Sequence, residues 1–256
     1  MQAPASWRCI DFISDLHLDA AHPRTHAALQ DYLAHTPASA LFILGDLFEA
    51  WVGDDMRHLP FETACTRALD QAGQRLWLGL MVGNRDFLLG PDMLTACHAH
   101  ALGDPLLLEA FGQTHLLTHG DAWCLDDRDY LSFRQQVRSP AWQAAFLAQP
   151  LSSRLQTARG LREASEARKS EQPPMAWADV DAEHAAQWMQ ATGARSLIHG
   201  HTHRPASQPF GLPDAQRHVL SDWDLDHASP RAEVLRLDHT GVQRLTLAQA
   251  MAPLDA

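Results

Sequence analysis

Five short polar blocks, each at the C-terminal end of an apolar run, constrain this chain more than any other feature: SDLHLD, GDLFEAW, GNRD, THGD and GHTH. In order they supply Asp15, His17, Asp46, Asn84, His119, His201 and His203. Polar residues delivered together by strand exits fit a layered α/β architecture, whose sites lie at the carboxyl ends of strands. In D-x-H and H-x-H the two ligands stand two residues apart, which in extended backbone puts both side chains on one face. Asp46 and Asn84 each follow a glycine, which lets the chain turn sharply and approach an ion closely. Seven oxygen and nitrogen ligands suit two adjacent divalent metals better than one, a recurring device for breaking phosphate esters and anhydrides. A lone Asp or His is usually a surface or capping residue; seven in glycine-punctuated strand exits are not accounted for that way. Mixed carboxylate, amide and imidazole ligation suits manganese, iron or zinc, and the absence of cysteine ligands argues against a closed structural zinc site. Asp46, central in the ligand order, is the expected bridge between the ions.

The blocks punctuate an alternation of strands and helices. Strands are expected over 8–13, 40–44 and 75–82, and helices over 25–34 and 61–72, the second stopped by Gly73 as a C-cap. Asp92 is an expected N-cap for the next helix. Shorter strands follow over 106–109 and 114–118. A helix over 181–192 ends at Gly193, and strands over 195–198, 218–220, 232–237 and 242–247 close the chain. Mixed sheets are expected. Residues 128–169 break the alternation: they are helix-prone and carry eight basic residues against three acidic ones, a net +5 island in a chain of net charge -11. One reading is a helical hairpin with a solvated basic face. The sharper one is a cap offering an apolar groove and cations to an amphiphilic anion, and favouring an anionic membrane surface. Gln172 to Pro174 reads as the exit from this insertion, which divides the chain into a core (1–125 and 173–256) and a helical cap (126–172).

The acidic balance excludes a nucleic-acid coat. Four scattered cysteines, without CxxC, read as reduced cytosolic thiols. The segment MQAPASWRCIDFIS lacks the layout of a signal peptide, and no run approaches the roughly 18 apolar residues of a membrane span. The expectation is a cytoplasmic protein.

With these residues in place, the chain resembles the calcineurin-like metallophosphoesterases, whose fold is a two-sheet α/β sandwich flanked by helices around a dinuclear site. GDLFEAW, GNRDFLLG and IHGHTHRP are similar to one branch, supported by DDRDYLSFR after the HGD block and REASEARKS in the insertion. That branch hydrolyses the diphosphate of UDP-2,3-diacylglucosamine in lipid A synthesis. The resemblance implies two divalent ions, manganese by preference: Asp15, His17, Asp46 and His203 on the first, and Asp46, Asn84, His119 and His201 on the second. It implies water attack on the α-phosphorus, giving UMP and 2,3-diacylglucosamine 1-phosphate. It also implies catalytic roles for Asn84, Arg85 and His201, and substrate contacts from these three together with Asp127, Ser165 and Lys169. Gln172 stands where the branch has a Lys, so the register of the insertion contacts is open. The partners implied are a lipid-linked nucleotide and the cytoplasmic face of the inner membrane, bound peripherally, with no nucleic acid. His199 is expected to face the other layer, and Asp127 is alternatively a helix-cap carboxylate. Trp123, Trp142 and Phe146 are candidates for an acyl groove or for ordinary packing, and Glu49 and Trp51 for buttressing the Asp46 loop.

Arg85 departs from the wider superfamily, which commonly has His after the Asn. A His can protonate a poor alkoxide leaving group. Arg cannot, but it can clamp phosphate oxygens with two parallel hydrogen bonds, which suits a leaving group that is itself a phosphate. A surface Arg beside Asp86 is the plainer alternative. Among rivals, a protein phosphatase would carry GDxxDRG and GNHE. A nuclease or cyclic-nucleotide phosphodiesterase leaves the basic apolar insertion without a purpose. A non-catalytic scaffold of this fold would usually have lost ligands.

Overall fold

The computed structural model describes the backbone of residues 1–170 and 178–254, and their side chains apart from those of 164–170. Through the first hundred residues β1 (Cys9–Ile13), α1 (Pro23–His35), β2 (Ala40–Leu44), α2 (Pro60–Gly73), β3 (Trp77–Met81), α3 (Pro91–Ala96) and β4 (Ala99–Ala101) alternate. A hairpin of β5 (Leu106–Ala110) and β6 (Gln113–Thr118) follows, then three helices in succession, α4 (Arg128–Val137), α5 (Pro140–Leu147) and α6 (Leu151–Ser170). The described chain closes with α7 (Ala182–Thr192), β7 (Ser196–His199), β8 (Ala206–Pro209), β9 (Gln216–Val219), β10 (Glu233–Asp238), β11 (Gly241–Thr246) and α8 (Leu247–Ala250).

The strands form two mixed sheets, ordered β11-β10-β1-β2-β3-β4 and β5-β6-β7-β9-β8. β1, β2, β3 and β4 run parallel, as do β6, β7 and β9. Both faces of β2 are covered, which is why ALFIL is an unbroken apolar run. Ala40, Phe42 and Leu44 pack between the sheets with Leu117 and Ile198, while Leu41 and Ile43 pack outward with Leu29 and Leu33 of α1 and Leu69 of α2. On the far side, Leu116 and Leu197 lie under α7 with Ala185 and Met189. The result is four layers, helix–sheet–sheet–helix.

β1 carries one polar residue into this core. Asp11 accepts from Arg236 Nε (2.7 Å) and Nη2 (2.8 Å), from Tyr32 Oη (2.7 Å) and from Thr36 Oγ1 (3.0 Å), tying β1 to β10 and α1. Arg236→Met leaves this buried carboxylate with hydroxyls alone. It is expected to cost about 3–5 kcal/mol, read as a lowered urea midpoint at unchanged m-value.

Three local expectations are corrected. Gly73 is the last helical residue of α2 and not an αL cap; a Cβ there would collide with the Cys97 carbonyl. Gly90, not Asp92, is the N-cap of α3, with Pro91 opening the helix and Asp92 in its first turn. β4 and β8 were not expected, being three- and four-residue edge strands with largely exposed side chains and no apolar alternation. Gly193 does cap α7 in the left-handed region (φ 69°). The expected exit from the insertion at 172–174 lies outside the described residues.

Candidate metal centre

Each ligand block leaves the C-terminal end of a parallel strand: Asp15 and His17 after β1, Asp46 after β2, Asn84 after β3, His119 after β6, and His201 and His203 after β7. The two sheets therefore aim their ligands at one edge of the sandwich. The route is not extended backbone. Asp15, His17, Asp46, His201 and His203 have φ of 54°, 47°, 53°, 65° and 52°, and they make up five of the eight non-glycine residues with positive φ among those described. Each such residue costs of the order of 1–2 kcal/mol, so their concentration here marks a site for which the fold accepts strain. The glycine argument holds: Gly45 has φ 93° and a Cβ would meet the His119 ring, while a Cβ on Gly83 would meet the Asp46 carboxylate.

The ligand atoms of Asp15, His17 and His203 lie within 4.8 Å of one another, as do those of Asp15, Asp46 and His119. Asp46 Oδ2 stands between the two halves, 3.9 Å from His17 Nε2 and 3.7 Å from His119 Nε2. His17 and His203 face each other Nε2 to Nε2 at 3.2 Å, and His203 Nε2 is 3.5 Å from Asp15 Oδ1. Asn84 Oδ1 lies 3.1 Å from His119 Nε2 and 2.9 Å from His201 Nδ1. His119 Nδ1 donates to the Leu44 carbonyl at 2.9 Å, so in the neutral ring Nε2 is a lone pair directed at the Asn84 amide oxygen. Acceptor against acceptor at that distance requires positive charge, from a proton on the ring or from a metal ion.

Proton affinities express the same demand. Burial opposes charge on His119, but Asp46, Asp15 and Asp121 outweigh it and push it up to about 9. Burial likewise opposes charge on His203, yet its hydrogen bonds with Asp15 and Asp222 push it up to about 10. Asp15 is held well below the usual carboxylate range despite burial, by His203, His119 and His17. His201 moves the other way, down to about 3, through burial and the positive field of His119. The donor set is hard oxygen and imidazole nitrogen arranged around concentrated negative charge, and it fits divalent cations.

Around this centre the loops brace one another. Asp86 accepts from the backbone N–H groups of Gly83 (2.7 Å) and Leu47 (2.8 Å), locking the Asp46 and Asn84 loops together, and Arg85 N donates to Asp46 Oδ1 (2.8 Å). Arg85 is therefore not paired with Asp86. Its Nη1 lies 3.4 Å from Glu49 Oε1, which is 3.2 Å from Arg162 Nε, while Glu49 Oε2 sits 3.0 Å from His17 Nδ1. Glu49 thus ties the loop after Asp46 to His17, Arg85 and Arg162. Trp51 contributes through its backbone, donating to the Arg85 carbonyl at 3.1 Å. Asp222, which sequence reading missed, lies 3.3 Å from His203 Nδ1 and is gripped by Arg231. Its signal is faint, an SDWD tetrapeptide after a strand.

The remaining expected residues divide. Asp127 is exposed and caps α4, accepting from Tyr130 N at 3.0 Å. Ser165 and Lys169 fall within α6, but their side chains lie outside the described ones. Trp123 belongs to the core under α7, stacked with Trp188 at 5.8 Å, which is the ordinary packing of its two expected roles. Trp142 and Phe146 stack at 4.6 Å and pack α5 onto the core, so exposed apolar surface in this region comes instead from Leu125, Phe133, Leu147 and Leu161.

His199 turns away from the ligands as expected. Its Nδ1 donates to the Gly200 carbonyl (2.8 Å) and its Nε2 accepts from Arg217 Nε (2.9 Å), which fixes a neutral tautomer. Burial, then Arg217, pushes it down to about 4. In the unfolded chain the same ring takes its proton near pH 6.5. Between those values protons bind the unfolded state preferentially, so stability falls as pH drops through the window. From pH 7 to pH 5 the expected loss is about 2 kcal/mol from this ring. Urea melts at the two pH values check it, and His199→Gln is expected to flatten the difference.

Residues 10–205 match the calcineurin-like phosphoesterase family. The UDP-2,3-diacylglucosamine hydrolase of Ralstonia nicotianae is 44% identical over 239 residues, covering 88% of each chain. Those of Chromobacterium violaceum and Stenotrophomonas maltophilia are 44% and 42% identical, each covering 93% of this chain and 98% of the relative. Among solved structures, an archaeal phosphodiesterase is similar at 11% identity and a TM-score of 0.46, over 93% of this chain and 98% of that one.

Proposed function

Because the chain belongs to the calcineurin-like phosphoesterase family, we propose that it hydrolyses UDP-2,3-diacylglucosamine in lipid A biosynthesis, at a pair of divalent metal ions. The observation that carries the substrate is identity of 41–44% along nearly the whole chain to hydrolases of that name. The ions would be held by Asp15, His17, Asp46 and His203 on one side and by Asp46, Asn84, His119 and His201 on the other, with manganese the preferred metal. When bound, such a pair activates water at neutral pH and draws charge from phosphoryl oxygens.

The protein's own groups do the rest. Asn84 and His201 meet at 2.9 Å, where they can orient the attacked phosphoryl group. Attack by water at the α-phosphorus breaks its bond to the bridging oxygen; the water oxygen stays with UMP, and the sugar leaves as its 1-phosphate. That leaving group is a stable anion, so it needs a clamp and not a proton. Arg85 supplies the clamp from beside Glu49, a carboxylate whose place near the guanidinium a phosphate can take.

Helices α4–α6 form the cap. Their exposed Phe133, Leu147 and Leu161 suit acyl chains and peripheral contact with the cytoplasmic face of the inner membrane. No helix among the described residues is long and apolar enough to cross a membrane.

The test compares purified, manganese-loaded protein on three substrates. UDP-2,3-diacylglucosamine is expected to release UMP readily. Its deacylated form should bind at least about tenfold more weakly, since each buried methylene contributes about 0.8 kcal/mol. A cyclic nucleotide should be a poor substrate. Good turnover of the cyclic nucleotide with none of the UDP-lipid would assign the chain to another branch, and equal affinity for both UDP-sugars would reduce the cap to a solvated hairpin.

A further inference from the structure

The HGD block holds a carboxylate that the ligand set does not use. Asp121 is fully buried in the short turn after His119. Its Oδ2 accepts from the Tyr130 hydroxyl and from Arg134 Nε (2.8 Å), and Arg138 Nη2 lies 3.9 Å from the same oxygen. Tyr130, Arg134 and Arg138 are spaced i, i+4, i+8, so they form one stripe along α4 and its C-cap residue. Two members of the stripe also touch the metal centre. The Tyr130 ring stacks on His201 with centroids 6.2 Å apart, and Arg138 Nη2 donates to the Gly83 carbonyl at 2.8 Å, directly before Asn84.

We propose that Asp121 is a positioning residue that fixes the roll of α4 against the metal centre, setting the substrate-facing helix and the Asn84–Arg85 loop in register with each other. A helix held by apolar contacts alone can slide or roll at small cost. Here either movement would strip a buried carboxylate of its compensating cations, which is strongly unfavourable. One charge thereby gives the helix a single seat. Because Asp127 caps the same helix and Arg138 braces the loop of Asn84, both sides of the substrate space are referred to one buried atom. The inference rests on the hydrolase reading only for its kinetic arm.

The experiment uses full-length Asp121→Asn, Tyr130→Phe and their double variant. It records metal content, UMP release from UDP-2,3-diacylglucosamine, and amide hydrogen exchange by peptide. Asp121→Asn is expected to retain both metals and to raise KM about tenfold or more, with a smaller effect on kcat. It should also speed exchange in residues 128–137 while leaving 40–44 protected. Tyr130→Phe should move the same quantities less, and the double variant should be no worse than Asp121→Asn, because the two act through one contact. Unchanged exchange in 128–137 would overturn the proposal. So would loss of metal, or a uniform rise in exchange along the chain, either of which would make Asp121 a general support of the fold. If the unaltered protein releases no UMP, the substrate reading fails while the exchange arm still decides the positioning role.

Discussion

Asp46→Ala is expected to empty both metal positions and to lower UMP release on the order of 10³-fold or more. The carboxylate stands between the two halves of the centre, 3.9 Å from His17 Nε2 and 3.7 Å from His119 Nε2, and its other oxygen takes the Arg85 N–H. No neighbour can replace it. Asp15 is committed to His203 and to the His201 backbone N–H, and Asp86 spends both oxygens on the loops around Asp46. Alanine also fits poorly at φ 53°, so Asp46→Asn is the companion variant. Asn tolerates the left-handed region and can still accept from Arg85, so it removes charge while sparing the loop. Metal analysis of Asp46→Asn should show clear loss. Two retained ions would mean that the bridging position belongs to another residue.

Arg85→Ala is expected to behave differently, keeping both metals and losing about 10²–10³ in kcat. The Arg85 backbone N–H that holds Asp46 survives the substitution, so the centre stays assembled. The guanidinium that sits beside Glu49 does not. Arg85→Lys should recover only part of the rate, because an ammonium restores charge without the planar fork. Full activity in Arg85→Ala would remove Arg85 from the reaction. Lost metal would make it a structural residue.

The identities of the ligands were legible because the strands preceding them are buried on both faces, and any Asp or His at such an exit stands out against an apolar run. Their path to the centre was not. D-x-H and H-x-H imply neighbours on one face of extended chain, yet four of those residues are left-handed. That conformation is selected by tertiary convergence on one point, which no local pattern encodes. Asp121 shows a related limit. Its neighbours in HGD suggested nothing beyond a loop acid, while the informative signal lay nine to seventeen residues downstream, in the spacing of Tyr130, Arg134 and Arg138. Trp123 was left between groove and packing for the opposite reason. It is adjacent in sequence to the centre, but the turn after Gly120, at φ 111°, sends it beneath α7.

A centre that directs water to one phosphorus of a lipid-linked nucleotide diphosphate leaves the water oxygen on that phosphorus alone. Hydrolysis of UDP-2,3-diacylglucosamine in 18O-water, with both products weighed by mass spectrometry, tests it most directly. One heavy oxygen is expected in UMP and none in 2,3-diacylglucosamine 1-phosphate. Label in the sugar phosphate, or no UMP from the manganese-loaded protein, would contradict it.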